Sequence, residues 1–304
     1  MRFTLSLLTL AAFTIAPAFT EVDPYDQSAV PLEVDTQDPS LTKIVLVAGQ
    51  QSHGPGDHEF FAGCALLMNM LKQTPGVFPV MARDGWPKNE AIFTGAKSIV
   101  FYMDGRVKHP INTKLDVLQP YIDQGVGFVN IHYAVDYTKE TGATVVNWLG
   151  GYYDAEISIN PHWDANFSTF PDHPISRGVK PFVIRDEWYY NMRWKSDPAG
   201  LSNILKATPP DETRKTADAK NYPGRSEITA WAYDRPSNGG RSFGFTGGHF
   251  HKNWANDDFR KLVVNAILWS AKVEVPADGA PCVLAPGAID INLDKKAPKT
   301  KKAK

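Results

Sequence analysis

The sequence predicts an α/β fold: a doubly wound, mostly parallel sheet of the flavodoxin-like kind. Three observations lead there. Apolar runs of strand length recur at residues 43–48, 77–82, 98–103 and 127–132. Stretches of helical period separate the first run from the second and the third from the fourth. Short connections join them, as a βαβα alternation requires.

Residues 19–40 are rich in Asp, Glu, Pro and Ser without any period, and read as a linker into a domain spanning 41–273. The first strand, 43–48, leads into a loop holding three glycines and His53. Asp57, His58 and Glu59 then open a helix in which Phe60, Cys64, Leu67, Met68 and Leu71 form one apolar stripe. Glu59 is expected to cap that helix, whose dipole would lower the pKa of the His58 imidazole. Thr74-Pro75-Gly76 ends it, and the second and third strands follow. Leu115, Val117, Leu118, Tyr121 and Ile122 mark the next helix.

The run at 127–132 is bounded by glycines and ends on His132, with Asp136 four residues later. A buried parallel strand is expected there, presenting a polar side chain at the carboxyl edge where open α/β sheets bind ligands. Beyond it a helix over 141–149 ends at Gly150-Gly151. Short strands are expected at 155–160, 182–185, 204–207 and 228–233, and a last strand at 241–246. Asn256 is placed to cap the closing helix, with Asp257 and Asp258 favourable in its first turn.

The ends of the chain differ from its middle. Arg2, an apolar run over 5–15 and Ala16-Pro17-Ala18 have the pattern of a signal peptide over 1–18, which implies export to a periplasm or the outside. That run is too short to span a membrane, and no later stretch is long enough. Export would permit a disulfide, yet Cys64 falls on a helix face and Cys282 lies beyond the last helix, so two free thiols are expected. Residues 274–304 read as an extended basic tail with a solvated end. With Arg2 removed and the tail 294–304 (six Lys, one Asp) set aside, the body carries about −7, which argues against a nucleic-acid surface.

His53, His132 and His249 each follow a strand at its carboxyl end, and Glu187 follows the strand at 182–185. In a parallel sheet these four could converge as ligands of a divalent metal, zinc first, with an open position for water or substrate. Any one histidine alone would serve equally well as a strand cap or loop hydrogen-bonder. His249 is favoured over His251, which is assigned to substrate. His162 and Asp136 are candidates to relay a proton, beside His132 and Glu187 as catalytic groups. Trp163, Trp188 and Tyr189, near the acids Asp186 and Glu187, could hold a sugar ring, and Asp104, at another strand end, is assigned to substrate with them. The same aromatics would also suit a packed edge strand. His109 and His173, next to prolines, read as turn residues.

Other chemistries lack their motifs. The turn after Ile131 carries His132, where a nucleophile elbow needs Ser or Cys. Neither a phosphate-binding lysine loop nor a complete Gly-x-Gly-x-x-Gly is present, so no nucleotide is expected.

Gly125-Val126-Gly127-Phe128-Val129-Asn130-Ile131-His132, Gly150-Gly151-Tyr152-Tyr153, Asp172-His173-Pro174-Ile175, Asp186-Glu187-Trp188-Tyr189, Gly247-Gly248-His249-Phe250 and Ala266-Ile267-Leu268-Trp269 together resemble the ThuA-like, or trehalose-utilisation, family. The resemblance covers about 43–271. It implies a fold similar to class I glutamine amidotransferases without their cysteine, a link to sugar catabolism and to 3-keto glycosides, and in some members a divalent metal. Carried over, it supports His132, Glu187 and His249 as site residues, while the insert at 211–225 departs from the pattern at the substrate rim.

The expectation is an exported protein that uses a metal to act on a sugar or keto-glycoside by hydrolysis, elimination or isomerisation. The alternative is a carbohydrate-binding or accessory protein on the same fold. The oligomeric state stays open.

Overall fold

A computed structural model describes residues 23–297 of the chain. Its centre is a seven-stranded sheet in the order β2-β1-β3-β4-β11-β10-β9. Five of these strands are mutually parallel: β1 (Thr42–Ala48), β2 (Val77–Ala82), β3 (Ser98–Tyr102), β4 (Gly127–Ile131) and β11 (Arg241–Phe245). At one edge β10 (Glu227–Asp234) runs antiparallel to β11, and β9 (Leu201–Ala207) antiparallel to β10.

Helices cover both faces, which is why the parallel strands are continuous apolar runs and not alternating ones. The helices α1 (Phe60–Leu71) and α4 (Asp257–Ser270) share one core with Leu46, Val100 and Ile131. On the other face α2 (Leu115–Asp123) and α3 (Lys139–Leu149) pack over Val45, Phe101 and Phe128. Asn256 caps α4 as expected, its side chain accepting from the amides of Asp258 and Phe259.

The long crossover from β4 to β11 departs from expectation. Residues 155–160 form turns and one isolated bridge, Ile159 to Tyr190. The strand lies just beyond, at β6 (His162–Phe167), in a segment whose Pro161 and polar residues suggest a loop. It pairs antiparallel with β7 (Phe182–Glu187), alternate residues buried, so Trp163, Ala165 and Phe167 face the core. Two further short strands, β5 (Gly151–Tyr152) and β8 (Arg193–Trp194), pair separately.

Cys64 and Cys282 are buried and unpaired. Among the described residues no helix is long and apolar enough to cross a membrane. Residues 1–22, which include the segment 1–18 expected to be a signal peptide, and residues 298–304 lie outside the described residues. Up to Ala297 the basic tail is docked on the fold: Gln27 donates to the carbonyls of Asn292 and Leu293, and the Lys296 ammonium is buried.

His109 illustrates what burial does to an imidazole here. Its Nε2 donates to the Ala134 carbonyl, its Nδ1 accepts from the Ile111 amide, and its ring stacks on Tyr137 at 4.4 Å. Burial lowers its pKa from 6.5 to about 3. Between those values the unfolded chain holds a proton that the folded chain does not, so stability is full above the upper value and falls as the pH drops. Urea unfolding at about pH 7.5 and about pH 5.5 should give a stability difference about 1.4 kcal/mol smaller in His109→Gln than in wild type. Equal differences would show that His109 takes up its proton without unfolding.

Candidate metal centre

Four side chains meet at the carboxyl edge of the sheet. His132 follows β4 directly, and His249 follows β11 through Gly247-Gly248, where Gly248 takes φ +109, a conformation suited to glycine. The buried Asp186 holds that turn by accepting from the amides of Gly248 and His249 and from the Asn253 side chain. Glu187 ends β7 and is thereby brought over the sheet edge by the hairpin, opposite His162. His58 comes from the loop between β1 and α1, its amide donating to the His249 carbonyl at 2.9 Å.

The facing atoms are His58 Nε2, His132 Nε2, His249 Nδ1 and a Glu187 carboxylate oxygen, all within 4.8 Å of one another. His58 Nε2 lies 2.9 Å from His249 Nδ1 and 3.0 Å from His132 Nε2. Glu187 Oε2 lies 3.2 Å from His249 Nδ1 and 3.5 Å from His132 Nε2. Tetrahedral ligands at 2.0–2.1 Å from zinc would stand about 3.3 Å apart, which these four distances bracket.

The outward nitrogens decide what the inward ones can do. His58 Nδ1 donates to Asp104 Oδ1 at 3.0 Å, and His132 Nδ1 to the Thr246 carbonyl at 2.9 Å. His249 Nε2 faces Asp57 Oδ2 at 3.5 Å. Each outward nitrogen therefore sits opposite an oxygen acceptor and carries the hydrogen, which leaves a lone pair on each inward nitrogen. Three lone pairs and a carboxylate within 4.8 Å of one another, each histidine oriented by an outer oxygen, form a donor set that could hold a divalent metal.

Electrostatics lead to the same point. Burial, then the neighbouring His58, pushes the His132 imidazole well below its usual range, and burial with the adjacent histidines does the same to His58. Burial also opposes charge on His249, but hydrogen bonds to Asp57 and Glu187 override it and raise its pKa to about 9. Burial alone would raise the Glu187 carboxyl; its hydrogen bond to His249 and the charges of nearby histidines bring it below the ordinary value. Without a cation the cluster keeps one proton, on His249, and proton and cation compete for the same lone pair.

A pocket of about 480 Å³ opens beside the cluster. Tyr189 reaches both sets of groups, its hydroxyl 3.3 Å from His132 Nε2 and from Glu187 Oε2. Asp136 lines the pocket, held by Arg106 at 2.9 Å; burial outweighs that pairing and raises its carboxyl to about 7. Burial likewise raises Tyr133, Tyr153 and Tyr189, which keeps their hydroxyls protonated as donors. His162, half-exposed, stands at the rim with Nε2 3.7 Å from Glu187.

Of the expected ligands, the structure gathers His132, Glu187 and His249. His53 is not among the four facing groups: it is half-exposed and packs beside His58, the ring centres 3.6 Å apart, with Nδ1 3.9 Å from Asp104, in a separate group with His58 and Asp104. His58 is the fourth. Its φ is +48, so the chain turns there before α1 begins and aims the imidazole at the sheet edge. Glu59 makes no cap for α1 through its side chain; it accepts from the Gly56 and Asp294 amides and pairs with Lys296 at 3.1 Å.

Of the three aromatics expected to hold a sugar, only Tyr189 lines the pocket. Trp163 and Trp188 are core residues: Trp163 Nε1 donates to the Trp188 carbonyl, Trp188 Nε1 to that of Ile184, and Trp188 packs against Phe167 and Phe245. His251 is also buried away from the cluster, its Nε2 donating to the Ile289 carbonyl. Asp104 orients His58 and stands outside the pocket. From the insert, Lys215 and Thr216 reach the pocket wall.

The family model described as ThuA, trehalose utilisation, matches residues 45–270. A ThuA-like protein from Bacteroides uniformis has a similar solved structure, 18% identical, with a TM-score of 0.54 over 82% of this chain and 97% of its own. Another, from Parabacteroides merdae, is also 18% identical, with a TM-score of 0.52 over 78% of this chain and 92% of its own. At that identity the likeness speaks for the fold alone. No curated protein matches the sequence.

Proposed function

Because the chain belongs to the ThuA family, described by trehalose utilisation, we propose that it is an exported enzyme acting on a sugar or keto-glycoside with a divalent metal, zinc first, at His58, His132, Glu187 and His249. The observation that carries this reading is the set of outer oxygens, Asp104, Thr246 and Asp57, which leaves the three inward nitrogens as lone-pair donors. The leader-like first eighteen residues support export, and the family description supports a sugar.

A bound divalent ion supplies a Lewis acid for a carbonyl or hydroxyl oxygen and a lowered pKa for water. The protein's own groups do the rest. Asp136, with its carboxyl near 7, can take or return a proton at neutral pH. Arg106 holds that carboxylate in place. Tyr133 and Tyr153 line the pocket as hydroxyl donors, suited to the oxygens of a sugar ring. His162 at the rim is the second group placed to move a proton. Hydrolysis, elimination and isomerisation all draw on these same parts.

Elemental analysis of the purified protein tests the reading. We expect close to one divalent metal per chain in wild type and its loss in His132→Ala and His249→Ala, with unchanged far-UV circular dichroism. Wild type that takes up no metal from supplemented buffer would overturn it, leaving a carbohydrate-binding protein as the reading to pursue.

A further inference from the structure

The insert at 211–225 brings a surplus positive charge to the pocket of about 480 Å³ beside the histidine cluster. Its backbone is fixed on both sides of Lys215. The Arg214 guanidinium is buried and donates to Asp211, to Glu227 and to the Arg225 carbonyl. Thr216 Oγ1 donates to the Ile157 carbonyl at 2.8 Å, and the Asn191 side chain donates to Asp218 at 2.8 Å. Arg225 completes the frame by pairing with Glu227 at 2.9 Å.

Lys215 itself is exposed, lines the pocket, and makes no hydrogen bond or ion pair to any described residue. The carboxylates that share the pocket are already matched. Asp136 is held by Arg106 at 2.9 Å, and Glu187 faces His249 at 3.2 Å and accepts from the Asn160 amide at 3.1 Å. Neither is left to neutralise the Lys215 ammonium. Arg106 also keeps a donor in reserve: it gives Nε and Nη2 to Asp136, while Nη1 has no partner among the described residues.

Water satisfies an exposed ammonium while the pocket is open, but a ligand that fills the pocket displaces that water. A neutral ring returns only hydroxyls. A carboxylate returns a charge-assisted hydrogen bond, roughly twice as strong as a neutral one.

We propose that the pocket takes an acidic sugar, a ring bearing a carboxylate, and that Lys215 receives that carboxylate. The inference rests on the sugar reading given above and adds the charge of the ligand to it. Calorimetric titration of the full chain with glucuronate and with glucose tests it, since the exocyclic carbon is a carboxylate in the first and an alcohol in the second. We expect wild type to bind glucuronate about tenfold more tightly, and Lys215→Ala to lose most of that margin while its affinity for glucose stays within about twofold. Lys215→Arg should keep the margin, because the charge remains. Both variants should fold, the side chain being exposed and without a protein partner. Equal affinity of wild type for the two sugars overturns the acidic ligand and leaves the sugar reading standing. A margin that survives in Lys215→Ala overturns the role of Lys215, the carboxylate then being held elsewhere in the pocket. If wild type binds neither sugar, the sugar reading falls and this inference with it.

Discussion

Replacing His58 by alanine is expected to lower divalent-metal affinity by more than about 100-fold, whereas His53→Ala should leave it within about threefold. His58 contributes an inward lone pair at 2.9–3.0 Å from two other donors; the half-exposed His53 is not among the four facing groups. Asp104→Asn should fall between them, about 10- to 100-fold weaker, because an amide nitrogen turned toward His58 Nδ1 would unsettle its tautomer. Competition against a chromophoric chelator gives all three values. If the His53 variant lost metal and the His58 variant kept it, the ligand set would be the one read from strand ends, and the loop before α1 would sit differently in solution.

Lys296→Met should destabilise the fold by about 3–5 kcal/mol, a large loss for a residue eight positions from the chain end. The Lys296 ammonium and the Glu59 carboxylate are 1% exposed and 3.1 Å apart. The ammonium also donates to the carbonyls of Asp57 and His58. Without it Glu59 keeps the Gly56 and Asp294 amides but loses its buried counter-charge, the two carbonyls lose their donor, and the loop that aims His58 loses one of its ties to the C-terminal segment. Urea unfolding of Lys296→Met, Glu59→Gln and the double variant measures the coupling; the double variant should lose clearly less than the two single losses added together. A loss under about 1 kcal/mol in Lys296→Met would show that the pair is open to water. The metal affinity of the same variant should fall as well, because Asp57 and His58 share the loop.

The central sheet was legible because its strands are buried on both faces. A run such as Val45 to Ala48 cannot be mistaken for an exposed segment, and a side chain just past such a run must emerge at the carboxyl edge. His132 and His249 were expected at that edge on this ground, and both emerge there. Glu187 was found too, although it arrives on a hairpin outside the main sheet. The aromatics misled for a physical reason: Trp163 and Trp188 stand beside acids in the sequence, but alternation along β6 turns Trp163 inward away from Asp164, and Trp188, just past β7, packs into the core. The register of Trp163 depends on β6, which Pro161 and the polar residues around it concealed.

By itself the sequence determined the layered architecture, the capped closing helix and three of the four converging groups, because apolar periodicity and strand ends are local properties. Tertiary structure alone decided that His58 and not His53 completes the cluster, since a left-handed residue before α1 turns the imidazole inward against His249. It also decided the fate of Lys296. A lysine in a polar tail has no local reason to be buried, and only the approach of the C-terminal segment to Glu59, more than two hundred residues earlier, makes burial favourable.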